Sequence, residues 1–161
     1  MSGMYLSVDV PGWVRVWNVA AKRTSPGRYY LDQETGVRFT GVVTFLNVEP
    51  AAGSVLAGVA VPVTAEELAA YDRRELNYDR VQVTSVAALD APAWMYVGRP
   101  DSVAYFNECS QVGTAVISAQ YRSTVESAAV TLGPDFYRRY VASTRAPTVP
   151  VKTLEFVNTD Y

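Results

Sequence analysis

The sequence predicts an α+β fold in a single domain spanning residues 1–161, and three observations carry that prediction. The first half is a succession of β-branched and aromatic runs separated by turn residues. The second half changes to the spacing of helix faces, and strands followed by helices are the order expected of α+β proteins. With 161 residues and 49% hydrophobic content the chain can bury one core and has no room for a second.

The elements follow in order. Trp13, Val14, Val16, Trp17 and Val19 surround Arg15 and Asn18 behind a Pro11–Gly12 turn, which predicts a strand over residues 11–19. Residues 22–28, with Ser25-Pro26-Gly27 between basic residues, and residues 32–36, with Glu34-Thr35-Gly36, read as loops around a short extended piece at Tyr29-Tyr30-Leu31. Residues 42–48 form a strand that stops at Glu49–Pro50, and residues 55–63 form a second one after a short loop. Gly58 inside that second run suggests a bulge or a close backbone approach. Thr64-Ala65-Glu66-Glu67 has the pattern of a capping box, so a helix starts there and runs through Tyr71 toward Glu75. Period-two alternation resumes over residues 81–86, and Trp94-Met95-Tyr96-Val97 makes a further strand. Ile117, Tyr121, Val125, Ala128, Ala129 and Leu132 share the spacing of one helix face and end at Gly133. Pro134 then opens a last helix through Phe136, Tyr137, Tyr140 and Val141, with Arg138 and Arg139 facing water.

Composition removes several functions. A net charge of −2 gives no basic footprint for a phosphate backbone, so nucleic acid is not an expected partner. The single Cys109 cannot form an internal disulfide, reads as a small packed thiol and fits a reducing compartment. The first residues lack a basic start followed by an apolar run, and no segment approaches the ~20 apolar residues of a membrane span. The expectation is a soluble, cytoplasmic protein with no membrane partner. The chain contains no histidine, which excludes Ser-His-Asp and Cys-His catalysis and His-ligated metals. Neither a G-x-G-x-x-G run nor a Walker A pattern is present, and no metal or cofactor is expected. Proton transfer in such a chain falls first to carboxylates.

One carboxylate is placed for it. Steps of three and four from Leu68 lead to Tyr71, Asp72 and Glu75, which share a face within ~60° at ~100° per residue. Arg73 and Arg74 fall away from that face. A carboxylate on an inward face at a helix end is partly desolvated, which suits Glu75 to act as a general base. Two other readings stay open: an ion pair of Glu75 with Arg80 or Arg99, or an exposed Glu75 beyond an early helix end. Tyr78 and Tyr121, taken alone, read as core aromatics.

The stretch from Leu68 through Tyr71-Asp72-Arg73-Arg74-Glu75-Leu76-Asn77-Tyr78 into the strand at residues 81–86 resembles the γ-glutamylcyclotransferase-like family, which carries D-x-x-E with a tyrosine a few residues on. Pro11-Gly12-Trp13 to Asn18, Val43 to Pro50, and Ser118-Ala119-Gln120-Tyr121 are similar to bacterial members. The likeness extends from Pro11 to about Leu154. It implies a small mixed β-barrel-like sheet with flanking helices and a pocket between barrel and loops. It also implies a small-molecule γ-glutamyl substrate, whose α-amine attacks its own side-chain carbonyl to release 5-oxoproline and an amine or amino acid. By this resemblance Glu75 is the catalytic general acid/base, and Tyr78 and Tyr121 line the substrate site. The family's opening strand, ending in Tyr-Gly-Ser and cradling the developing oxyanion, has no counterpart here, since Tyr5-Leu6-Ser7 lacks the glycine and lies too near Pro11. Either the true start lies upstream of Met1, so that the domain misses its first strand, or this is a shortened relative. A shortened relative would be catalytically impaired or inactive, acting as a small-molecule-binding or interaction protein.

Overall fold

The computed structural model describes residues 4–84 and 86–159. Among them lie eight strands and four helices: β1 (Leu6–Ala20), β2 (Arg28–Asp32), β3 (Val42–Ala60), α1 (Ala65–Arg74), β4 (Tyr78–Val83), β5 (Ala93–Gly98), α2 (Pro100–Gln111), β6 (Ala115–Ser118), α3 (Ala119–Thr131), α4 (Pro134–Ala142), β7 (Val151–Lys152) and β8 (Leu154–Asn158). The α+β class is therefore as the sequence predicts. The main sheet has the order β1-β3-β6-β7, antiparallel at β1-β3 and parallel at the other two pairings. Two antiparallel ribbons, β2-β8 and β4-β5, stand beside it.

The expected barrel-like closure is not found among the described residues. β1 and β7 remain the two edges of an open sheet, because β3 and β6 pair only through Val42↔Ala115 and Val43↔Val116 before β3 continues alone with β1. The ribbon β4-β5 has no backbone ladder to the main sheet. Side chains join it instead: the Tyr78 hydroxyl donates to the Leu46 carbonyl at 2.6 Å, and the Gly98 N–H donates to Asn47 Oδ1 at 2.7 Å.

Where local signals were strong, the elements follow them. Thr64 Oγ1 accepts from Glu67 N–H at 3.2 Å while Glu67 Oε2 accepts from Thr64 N–H at 2.7 Å, the reciprocal pair that nucleates α1. Pro134 occupies the first turn of α4 behind Gly133, whose φ of 102° suits glycine alone. Phe136 and Tyr140 are the buried face of that helix, Arg138 is exposed, and Arg139 reaches across to Asp9.

Elsewhere the outcome differs. Residues 42–48 and 55–63 do not form two strands; most of both belongs to the single β3, and its Glu49–Pro50 and Gly53 signals mark a register break against β1. Between Pro11↔Val55 and Trp13↔Pro50 the residues 51–54 face Gly12 alone, and Gly12 and Gly53 both take positive φ there. Gly58 is neither bulged nor crowded: it pairs regularly with Val8, and an added Cβ would meet only Val8 Cγ2 at 3.9 Å. β1 begins at Leu6, five residues before the predicted strand, since Pro11 lies on an edge strand where its missing N–H costs no ladder bond. Ile117 belongs to the buried β6 and not to the helix, which opens at the Ser118 N-cap. Of the predicted strand at residues 81–86, β4 supplies the part to Val83, and Ser85 lies outside the described residues. α2 was not predicted; its buried Phe106 and Cys109 pack on Ala20 and Ala115, which confirms Cys109 as a packed thiol.

Candidate functional site

Glu75 caps the C-terminus of α1, its N–H bonded to the Tyr71 carbonyl at 2.9 Å, and its own carbonyl accepts from Tyr78 N–H at 3.1 Å. That tight turn carries the chain from helix into β4 and sets Glu75 and Tyr78 side by side. The Glu75 side chain is 31% exposed; it stands one residue past α1 with φ −83° and ψ 60°, and Asp72 of the same expected face is exposed, so helix spacing alone does not set its direction. Neither Arg80 nor Arg99 pairs with it. Arg80 binds Asp72 at 3.2 Å, and Arg99 lies by Asp79 and Asp101. Among the described residues the ion-pair partner of Glu75 is Arg74, at 3.9 Å and 65% exposed, a contact of little energetic weight.

Three phenols surround this carboxylate electrostatically. Burial raises the Tyr78 hydroxyl far above its ordinary value, with Tyr121 and Glu75 adding to the effect. Burial also raises Tyr121, against the opposing influence of the Leu46 backbone, with Glu75 again among the charges that raise it. Tyr96, which the sequence reading did not single out, is pushed up to about 12 by desolvation and by its hydrogen bond to Asp72. All three hold their protons near neutral pH. Asp72 is engaged by Tyr96 and Arg80. The Glu75 carboxylate, by contrast, makes no side-chain hydrogen bond among the described residues.

The structure brings the three sequence-predicted residues to one place. Tyr121 reaches it from the first turn of α3, where Ser118 Oγ caps the helix by accepting from Tyr121 N–H. Its ring meets Trp17 edge-on at 5.8 Å and Phe45 at 5.1 Å, so β1 and β3 fix its position. Tyr78 is anchored by the Leu46 carbonyl of β3. Both tyrosines are therefore core aromatics, as their bland reading holds, and also neighbours of Glu75.

Beside this group a cavity of about 420 Å³ opens between the ribbon β2-β8, the start of β3 and the α1–β4 turn. Phe45 is shared between its wall and the Tyr121 contact. Arg74 and Leu76, the two neighbours of Glu75 in the chain, line it as well. Asn77 fixes its rim: it accepts from Arg23 N–H at 3.0 Å and donates to the Arg23 carbonyl at 2.9 Å, while Ser102 Oγ donates to it at 3.1 Å. One hint of this wall was legible beforehand, the basic residues around Ser25-Pro26-Gly27. The remaining lining residues are scattered and have no common period.

Among the described residues no three His, Cys, Asp or Glu side chains converge as a metal site, and no helix is long and apolar enough to cross a membrane. No protein-family model, no curated protein and no solved structure matches this chain.

Proposed function

We propose that this chain is a γ-glutamylcyclotransferase-like protein acting on a γ-glutamyl amine or amino acid, with Glu75 as its general acid/base. The observation that carries the reading is a half-buried carboxylate without a strong cation, set among Tyr78, Tyr96 and Tyr121. In the reaction the substrate's α-amine attacks its γ-carbonyl carbon. Glu75 takes the amine proton, the C–N bond to the leaving amine breaks, and Glu75 returns the proton to that nitrogen. The products are 5-oxoproline and the free amine. Ring closure is intramolecular, so what the protein supplies is orientation and proton transfer, which a chain without histidine can provide.

The test is 5-oxoproline release from a panel of γ-glutamyl amino acids and amines. The purified chain turns over at least one of them, and Glu75→Gln lowers the rate by ~100-fold or more without changing the melting temperature. A folded chain that releases no 5-oxoproline from any of them sinks the catalytic reading.

A second reading, a binding protein without turnover, is favoured by one observation: the cavity is lined on both sides of Glu75 in sequence but not by Glu75 itself. It is also the reading left if the tyrosine hydroxyls stay on the protein, since that of Tyr78 already donates to Leu46. Ligand-dependent thermal stabilisation with no turnover supports it, and measured turnover removes it.

A further inference from the structure

The cavity beside Glu75 has a charge that its chain does not share. In a protein of net charge −2, four arginines line this one cavity, Arg23, Arg28, Arg38 and Arg74, and among the described residues no Asp or Glu lines it. Their compensation is unequal. Arg23 is neutralised by Asp101, which its guanidinium grips with two nitrogens. Arg74 lies over the Tyr71 ring at 4.7 Å and has only the distant Glu75. Arg28 and Arg38 have no carboxylate within ion-pair distance among the described residues. Arg38 is instead held over the ring of Tyr29, its carbon 4.9 Å from the centroid. A guanidinium stacked on an aromatic face keeps its edge, with its N–H donors, free for an incoming anion.

The rest of the wall combines the polar Thr24, Ser25 and Asn77 with apolar and aromatic side chains. Tyr30, Phe39 and Phe45 stand behind the arginines, packed on the buried Val43 and Leu154, and Phe156 lies against Tyr30 at 5.3 Å. A bare inorganic anion would leave these rings unused. The volume of about 420 Å³ accommodates a ligand with a ring or short apolar body as well as its charged head.

From this juxtaposition we infer that the cavity is a binding site for an organic anion, a carboxylate or phosphate carried on an aromatic body. The anionic head lies between Arg28 and Arg38, and the body stacks among Tyr30, Phe39 and Phe45. Binding requires neither turnover nor Glu75, so the inference does not rest on the cyclotransferase reading.

Titration calorimetry tests it with four probes on the intact chain: phenylacetate, phenyl phosphate, inorganic phosphate and the neutral 2-phenylethanol. The two aryl anions bind, and raising the salt concentration weakens them. Inorganic phosphate and the neutral alcohol bind at least tenfold more weakly than the aryl anions. Arg28 and Arg38 are exposed, so the double variant Arg28→Gln/Arg38→Gln keeps its fold, and aryl-anion binding falls about tenfold. Arg138→Gln on the distant α4 serves as the charge control and leaves binding unchanged. If phenyl phosphate binds better than phenylacetate, the head is a phosphate; the reverse order identifies a carboxylate. Equal binding of the neutral alcohol, equal binding of inorganic phosphate, undetectable binding of both aryl anions, or a double variant that binds like the parent overturns the inference.

Discussion

Two neighbouring regions of the molecule treat their polar groups in opposite ways. Where the ribbon β4-β5 meets β3, polar atoms are buried and matched. Asn47 is 4% exposed and uses its oxygen for the N–H groups of Gly98 and Val48, at 2.7 and 2.8 Å, and its nitrogen for Asn18 at 2.9 Å. One turn away, Glu75 keeps a half-buried carboxylate that only a distant, exposed arginine balances. The first arrangement is that of a joint, and the second is the carboxylate proposed as the general acid/base. A protein tolerates an unmatched polar group where water can still reach it, and in its interior it must satisfy the group or lose stability.

Substitutions can break or sharpen this contrast. The largest effect belongs to Glu75→Gln, which is expected to cost ~100-fold or more in 5-oxoproline release with the denaturation midpoint unmoved. A loss of stability comparable to that of the joint variants would show that Glu75 is structural. Next comes Gly98→Ala. Its Cβ would lie 2.4 Å from Val19 Cγ2 and 2.9 Å from Asn47 Nδ2, with Val19 fully buried, and chemical denaturation should register a loss of ~2–3 kcal/mol. Asn47→Ala leaves the Gly98 N–H without its acceptor, and a loss of ~1–3 kcal/mol in the same assay is expected.

A smaller effect has the opposite sign. Thr44 is completely buried, and its hydroxyl has no hydrogen-bond partner among the described residues. Thr44→Val removes that hydroxyl at nearly constant shape and should raise stability by ~1 kcal/mol, read as a higher melting temperature. An unchanged or lower value would mean that the hydroxyl is in fact satisfied.

The last prediction concerns acid. Hydrogen bonds from Arg23, Lys152 and Arg139 hold Asp101, Asp32 and Asp135 below their ordinary 3.8. A carboxyl depressed in the folded state contributes stability above its unfolded value, and that contribution disappears as pH falls through the folded one. Urea midpoints should therefore hold steady from pH 7 to about 5 and fall below about 4. Asp101→Asn should flatten part of that decline, and an identical decline in the variant would mean that the Arg23 pair contributes nothing.

The difference between the two regions also separates what could be read from sequence. The capping box and the Pro134 helix start depend on residues within one turn of each other, and their sequence spacing is their geometry. Tyr78 lies three residues beyond Glu75, but its expected place in the site came from the family resemblance. Tyr121 came from family resemblance, because it lies 46 positions from Glu75 and is held in place by Trp17 and Phe45, to which no local spacing relates it. The joint at Asn47 and Gly98 joins residues 51 apart, and nothing local marks either as a partner.

By itself the sequence determined the α+β class, the start of α1 and the absence of histidine chemistry. Only the tertiary structure decided that the sheet stays open, that residues 42–60 are one strand bent at a register break, and that four scattered arginines share a cavity beside Glu75. Helix caps and faces are contacts between neighbours in the chain, whereas sheet closure and cavity charge are sums over residues that folding alone brings together.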